Sequence, residues 1–168
     1  MKMNKSNCEK AEMLVEVLPY VNRFRDKIIV IKYGGNAMIN EDLKKAVMQD
    51  LLLMKSVGMH PILVHGGGPA INDMLKKLKV ESHFEQGLRV TDKETREIVE
   101  MVLAGKVNKD IVGTLNQIGG KGIGLSGKDG NLIQARKKYL EKNGEKIDIG
   151  YVGEVEAVNK EMLESLIY

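Results

Sequence analysis

Aromatic side chains are scarce in this sequence. It contains no Trp, five Tyr and two Phe in 168 residues. Proteins that bind single-stranded nucleic acids stack the bases on aromatic rings, and this sequence offers too few rings for such a platform. The net charge of +3 is only mildly basic. We therefore expect no nucleic-acid partner.

Cysteine and long apolar runs are also lacking. Cys8 is the single cysteine, so no disulfide forms within the chain, and a reducing cytoplasmic location is expected. No apolar run approaches the length that spans a bilayer, so we expect no membrane association. No spacing of Cys and His indicates a metal site, and the three histidines are expected to be structural or solvated.

The most informative stretch is a strand that ends in a lysine and two glycines. Ile28–Ile31 is a run of β-branched residues, which predicts a strand buried on both faces of a parallel sheet. Lys32 and Gly34-Gly35 follow it, and an amphipathic helix begins shortly afterwards. In an open α/β sheet, ligands bind beyond the carboxyl ends of the strands. Glycine amides and a lysine there suit an oxyanion such as phosphate.

A similar arrangement follows about thirty residues later. The apolar run Pro61–His65 precedes Gly66–Gly68, and Pro69 suits the first turn of a helix. Either glycine loop alone is explained by an ordinary tight turn between a strand and a helix. The two loops together with Lys32 favour phosphate binding, and they suit a substrate with two anionic ends.

Residues 7–25 have the pattern of an amphipathic helix. Asn7 is expected to cap it, Glu9 favours its first turn, and Pro19 should kink it or break it near Leu18. This helix precedes the first strand, so residues 1–25 are separated from a domain of residues 26–168. The pattern alone leaves open whether the helix packs on its own domain or on another subunit.

The middle of the chain predicts helices and a short hairpin. Asn40 should cap a helix that ends near Val57, another runs from Ala70 to about Lys79, and residues 80–90 form a hairpin. Thr91 and Glu94 predict a capping box at the next helix, which continues to Gly119 with a bend at Gly105.

The hairpin at residues 80–90 delivers Arg89 to a strand-to-helix junction. A guanidinium there is able to bind a carboxylate through two parallel hydrogen bonds. Its sequence position alone, however, is better explained by a solvated surface arginine.

Gly122–Asp129 imitates two nucleotide-binding patterns. It matches both the dinucleotide fingerprint and most of the P-loop, but it lacks the Ser or Thr that a P-loop uses for Mg²⁺. We predict a strand and a hairpin turn instead, with Lys128 near the site. Residues 147–158 alternate like antiparallel strands, and Asn159 caps a last helix of about two turns. We expect the chain to be the front part of a longer protein.

Three motifs in this order resemble the N-acetylglutamate kinases of the amino acid kinase family. They are Lys32–Met38, Val64–Asn72 and Gly87–Asp92, and the similarity runs from about Ala11 to Tyr168. The resemblance implies an α/β fold, a three-layer αβα sandwich around a mostly parallel sheet. It also implies a truncated chain that contains the acceptor-binding domain and lacks the nucleotide-binding half.

The resemblance further implies a reaction. The γ-phosphoryl group of ATP, bound with Mg²⁺, would be transferred to the side-chain carboxylate of N-acetyl-L-glutamate in the second step of arginine biosynthesis. No metal bound by protein ligands is implied. The implied site comprises Lys32 acting on the transferred phosphoryl group, Gly34 and Gly35 near the nucleotide phosphates, Gly67 and Gly68 at the acceptor, and Arg89 at its α-carboxylate.

The resemblance extends to assembly. The N-terminal helix is similar to the extension of arginine-inhibited hexameric members, so a homo-oligomer is expected, either a dimer or a hexamer, with arginine as an effector. The family's second half holds most of the ATP site and a second catalytic lysine, so this chain alone is expected to be inactive. Two alternatives stay open, a kinase of N-acetylaminoadipate and a non-catalytic ligand-sensing or oligomerisation module.

Overall fold

The computed structural model describes residues 6–142 and 144–167. No helix within this part of the chain is long and apolar enough to cross a membrane. The elements are α1 (Asn7–Phe24), β1 (Ile28–Tyr33), α2 (Glu41–Ser56), β2 (His60–His65), α3 (Gly68–Leu78), β3 (Phe84–Glu85), β4 (Leu88–Arg89), α4 (Lys93–Glu100), α5 (Asn108–Gln117), β5 (Ile133–Lys142), β6 (Glu145–Val158) and α6 (Lys160–Ile167).

The two apolar runs form a parallel pair of strands, which confirms the α/β class. β1 lies beside β2 in register from Ile28 opposite His60 to Tyr33 opposite His65. Burial on both faces, however, was a wrong prediction for this chain. Ile28 and Val30 are 44% and 65% exposed, because the helices of the described part cover only the opposite face.

The core lies between this covered face and the helices that follow it. Tyr33 of β1 is buried there with apolar side chains of α2, α3, α4 and α5. Burying apolar surface of this kind is the main favourable contribution to folding. The buried cluster consists of Tyr33, Met48, Leu51, Ile71, Leu75, Ile98, Val102, Val107 and Ile111.

The helix starts follow capping chemistry, with two corrections. Asn40 caps α2 as predicted, since its side chain accepts the backbone N–H groups of residues 42 and 43 at 2.9 and 3.0 Å. In α1 the cap is Ser6 rather than Asn7, because Ser6 and Glu9 form a reciprocal capping box. α1 continues through Pro19, so the predicted break near Leu18 does not occur.

The second correction concerns the start of α4. The cap is Asp92, which accepts the backbone N–H of Thr95 at 2.8 Å, so the predicted capping box of Thr91 and Glu94 does not form. The backbone of Thr91 is engaged elsewhere. It accepts from the N–H of Tyr151 at 2.6 Å and donates to the carbonyl of Ile149 at 3.0 Å, which joins the β3–β4 hairpin to β6.

The long helical region is continuous but not uniform. Between α4 and α5 the chain forms a π-helical segment, Met101–Val107, where a bend at Gly105 was predicted. A π-helical segment is a wider turn that keeps the chain helical while changing which side chains face the core.

The strand predicted within Gly122–Asp129 is absent. This segment lies against α5 instead, and its backbone is bound by α5 side chains: Asn116 accepts the N–H of Gly122 at 2.9 Å, and Lys109 donates to the carbonyl of Gly124 at 2.9 Å. The turn that follows leads into the antiparallel β5–β6 pair as predicted. Asn159 accepts the N–H of Met162 at 3.2 Å and so caps α6.

Candidate phosphate and carboxylate site

The first glycine loop, Gly34–Gly35, leaves β1 directly after Lys32 and Tyr33. Gly35 has φ +63°, a conformation that side chains other than glycine rarely adopt. A Cβ built at either glycine would meet no atom within 4 Å, so this face of the loop is open. The side chain of Lys32 is exposed, and the described residues give its ammonium group no hydrogen bond or ion pair. A lysine in this setting retains its donors for an anion.

The second glycine loop, Gly66–Gly68, begins at the same edge of the sheet. The register places Lys32 opposite Val64, and the N–H of Gly66 donates to the carbonyl of Tyr33 at 3.2 Å. Both loops therefore leave the same edge of the sheet. This hydrogen bond ties the second loop to the end of β1.

The start of α3 adds free backbone donors to the second loop. Gly67 is its N-cap position, Pro69 lies in its first turn, and no side chain caps it. Unpaired amides and the helix dipole make such a terminus suitable for an anion. A Cβ at Gly68 would meet nothing within 4 Å, whereas one at Gly67 would lie 2.5 Å from Leu103 Cδ2. Gly67 is thus packed closely from behind, and Gly68 faces open space.

Arg89 is held beside α3. Its two terminal nitrogens donate to the hydroxyl of Ser82 and to the side-chain oxygen of Asn72, and its Cζ lies 4.6 Å from the centre of the Phe84 ring. Burial lowers the pKa of Arg89 from its ordinary value. Arg89 is therefore a half-buried, fixed side chain rather than a freely solvated one.

The contact with Asn72 brings Arg89 to the second glycine loop. Asn72 is four residues beyond Gly68 in α3, which is roughly 6 Å along the helix axis. The structure thus connects Gly67, Gly68 and Arg89 through one helix. The hydrogen bond from Gly66 to Tyr33 joins the second loop to the end of β1, next to Lys32 and the first loop.

No sequence pattern predicted the hydrogen-bond network that lies behind the second loop. His65 Nδ1 lies 2.9 Å from the carbonyl oxygen of Gly66, and since a carbonyl only accepts, this nitrogen carries the proton. His65 Nε2 then accepts from Asn108 Nδ2 at 3.1 Å, and Asn108 also donates to the carbonyl of Leu125. Asn108 is only 6% exposed. This network fixes the end of β2 against α5.

A second support lies behind the first loop. Buried Lys44 of α2 forms an ion pair with Asp110 of α5, and the hydroxyl of Tyr33 donates to the carbonyl of Ala37 at 2.8 Å. Burial lowers the pKa of Lys44, but the hydrogen bond and charge of Asp110 outweigh it and raise the pKa overall. Between this support and the start of α3 is a cavity of about 270 Å³ lined by Tyr33, Lys44, Gly67 and Asp110 among others.

Other candidates from the sequence do not converge on this site. Lys128 pairs with both carboxylate oxygens of Glu100 at 2.6 Å, so its charge is already balanced. The consecutive basic residues Arg136, Lys137 and Lys138 of β5 pair with carboxylates of β6, for example Lys137 with Asp148 at 2.6 Å. Within residues 6–142 and 144–167, no group of three or more His, Cys, Asp or Glu side chains is arranged to hold a metal ion.

The carboxyl edge of the parallel strand pair thus carries two glycine loops and Lys32, and Arg89 is joined to the helix that follows the second loop. Residues 27–168 match the model of the amino acid kinase family, and the chain belongs to that family. The α/β class and the parallel strand pairing expected from the sequence agree with this membership.

Comparisons with individual relatives give more detail than the match to the family model. The chain is 62% identical over 158 residues to the acetylglutamate kinase of Caldicellulosiruptor bescii, with 94% of this chain and 54% of that protein aligned. It is 57% identical to the acetylglutamate kinase of Moorella thermoacetica, with 98% and 57% aligned. The chain thus spans about half the length of the curated relatives it matches.

Solved structures confirm the fold. The protein smu.665 of Streptococcus mutans UA159 superimposes with a TM-score of 0.68 at 32% identity, over 83% of this chain and 54% of that chain. The N-acetylglutamate synthase of Neisseria gonorrhoeae, complexed with coenzyme A and N-acetyl-glutamate, gives a TM-score of 0.73 at 22% identity, over 97% and 35%. The second likeness concerns the fold alone.

Proposed function

We propose that this chain forms the acceptor-binding part of an acetylglutamate kinase. The reaction is transfer of the γ-phosphoryl group of ATP, supplied as its Mg²⁺ complex, to the side-chain carboxylate of N-acetyl-L-glutamate. The product is N-acetylglutamyl 5-phosphate, in the second step of arginine biosynthesis. The observation that carries the proposal is the meeting of two glycine loops at one sheet edge, with Arg89 joined to the helix of the second loop. The names of the relatives support the same assignment.

Lys32 is proposed as the catalytic residue of this part. Its charge is exposed and has no partner among the described residues, so it is available to stabilise negative charge on the phosphoryl group in transfer. The amides of Gly34 and Gly35 would contact the nucleotide phosphates. The acceptor carboxylate attacks directly, so the protein contributes positioning and charge rather than a nucleophile of its own.

The acceptor is proposed to lie along the second loop. The uncapped amides of Gly67 and Gly68 would bind the reacting end of N-acetyl-L-glutamate, and Arg89 would bind its α-carboxylate through two hydrogen bonds. Arg89 suits this role because its positive charge is half-buried and has no carboxylate partner within the described residues.

We also propose that the protein is a cytoplasmic homo-oligomer in which α1 packs on a second subunit, with arginine as an effector. α1 has no buried residue, although its sequence is amphipathic. Its apolar side chains are widely exposed, including Leu14 at 71% and Leu18 at 52%.

Calorimetric titration of the 168-residue chain with N-acetyl-L-glutamate tests the acceptor assignment. Binding is expected, and N-acetylaminoadipate, which is one methylene longer, should bind about tenfold more weakly. The variant Arg89→Ala should abolish the binding. A folded chain that prefers N-acetylaminoadipate, or that binds neither ligand, would overturn the proposal.

A further inference from the structure

Every recorded contact of the Arg89 guanidinium is with a neutral group. Ser82 offers a hydroxyl, Asn72 an amide oxygen, and Phe84 the face of a ring. Within residues 6–142 and 144–167, the structure gives Arg89 no carboxylate partner. The positive charge is therefore fixed in place without being neutralised.

These contacts also leave donors free. An arginine has five N–H groups in a rigid fork, and the contacts with Ser82 and Asn72 use one on each terminal nitrogen. Three N–H groups remain, including the one on Nε. That number is sufficient for a carboxylate that accepts two parallel hydrogen bonds.

The side chain at position 72 decides whether the positive charge of Arg89 stays available to the carboxylate of a ligand. An amide oxygen orients the guanidinium but carries no net charge. Replacing Asn72 by Asp would change the shape of the side chain very little, yet it would place a permanent carboxylate against Arg89. That carboxylate would compete with any carboxylate of a ligand, since both would use the same cation.

We infer that Asn72, assisted by Ser82, is a positioning and specificity residue that holds Arg89 uncompensated for the α-carboxylate of the acceptor. Asn72 acts through Arg89 and does not itself touch the reacting atoms. The inference rests on the proposed function, because it assumes an acceptor that carries an α-carboxylate.

The test compares two ligands on three forms of the full chain. N-acetyl-L-glutamate carries the α-carboxylate, and N-acetyl-γ-aminobutyrate is the same molecule without it. NMR titrations measure the dissociation constants of both ligands, including millimolar ones. They are carried out on the unchanged chain, on Asn72→Asp and on Asn72→Ala. Asn72→Asp should weaken acetylglutamate binding by about tenfold or more, the range of a charge-assisted hydrogen bond, and should change binding of the analogue by less than about twofold. Asn72→Ala should weaken acetylglutamate binding by a smaller factor.

Two controls isolate the local effect. Asn22→Asp makes the same chemical change on an exposed position of α1, and it should leave both dissociation constants unchanged. Thermal melting followed by circular dichroism establishes that each variant is folded. If Asn72→Asp does not fold, Ser82→Ala removes the other oriented contact without adding charge, and it should weaken acetylglutamate binding alone.

The outcomes separate the inference from the proposed function. If the unchanged chain binds acetylglutamate but Asn72→Asp weakens both ligands equally, the residue is merely structural and the inference is overturned. Unchanged acetylglutamate binding in Asn72→Asp overturns it as well. If the unchanged chain does not bind acetylglutamate, the proposed function fails, and the inference fails with it.

Discussion

At the scale of single residues, Arg89 makes the sharpest prediction. Lysine keeps the positive charge at this position but loses the planar fork that makes two hydrogen bonds. Arg89→Lys should therefore weaken acetylglutamate binding by at least about tenfold, measured by calorimetry on the 168-residue chain.

The matched control for Arg89→Lys is Arg136→Lys, the same change at an exposed residue of β5. That control should leave the dissociation constant unchanged. Full binding by folded Arg89→Lys would show that a point charge suffices and that the fork has no role.

Lys32 calls for a kinetic measurement. The measurement uses a chimera of two proteins. Residues 1–168 of this chain are joined to the part of the Caldicellulosiruptor bescii acetylglutamate kinase that has no counterpart in this chain. In the chimera, Lys32→Ala should lower kcat by about two orders of magnitude or more, because a preorganised charge on the transferred group is lost. The KM for acetylglutamate should change by less than about threefold.

Lys27→Ala provides the comparison for Lys32→Ala, because Lys27 lies just before the opposite end of β1. It should retain the kcat of the unmodified chimera. A Lys32→Ala chimera that keeps about a third of its kcat would remove Lys32 from the catalytic role.

The residues of this site also show which features of a site can be predicted from a sequence. Lys32 and the glycine loops were predictable because each is contiguous with an apolar run, and parallel pairing brings strand ends together. The partners of Arg89 were not predictable, since Asn72 and Ser82 are brought to it by the packing of α3 and the hairpin. The bond between His65 and Asn108 joins residues 43 positions apart and has no local signal.

At the scale of elements, helix starts were predicted well where the cap residue binds only the first turn of its own helix. Asn40 is such a case. At α4, Thr91 and Asp92 both suit a cap, and tertiary structure decides between them: Thr91 is recruited to β6, so Asp92 caps the helix. The strand predicted within Gly122–Asp129 does not form for a similar reason, since α5 side chains bind the backbone of Gly122 and Gly124.

The cap of α4 predicts a specific response to acid. Hydrogen bonds from Thr95 hold the pKa of Asp92 below its ordinary value of 3.8. A lowered pKa in the folded state means that the unfolded state binds more protons in this range. The stabilisation is thus complete above pH 3.8 and is lost as the pH falls through the folded-state pKa.

Asp92→Asn tests this response because Asn caps a helix about as well but does not titrate. Urea unfolding should give nearly equal stabilities for both proteins at neutral pH. Below the ordinary pKa of Asp92, the unchanged chain should lose more stability than Asp92→Asn. Equal losses would show that the Asp92 carboxylate contributes nothing to acid sensitivity. Other carboxylates with lowered pKa, such as Asp129 and Asp148, are present in both proteins and cancel in the comparison.

At the scale of the whole molecule, α1 is separate from the core, since none of its residues is buried. If it is an intersubunit element, deletion of residues 1–25 should reduce the oligomer while leaving β1 and the core folded. Light scattering measures the mass, and circular dichroism measures the folding. An unchanged mass would refute the intersubunit role, and a molten product would mean that α1 packs on its own domain.

Phosphoryl transfer by the chimera is the decisive measurement of the proposal that this chain supplies the acceptor site of an acetylglutamate kinase. ADP release is measured with acetylglutamate and with N-acetylaminoadipate, beside the intact Caldicellulosiruptor bescii relative. Acetylglutamate-dependent ADP release is expected, with kcat/KM at least about tenfold higher than for N-acetylaminoadipate. A folded chimera that binds ATP but releases no ADP with acetylglutamate, while the intact relative does so, would rule out the proposed acceptor site.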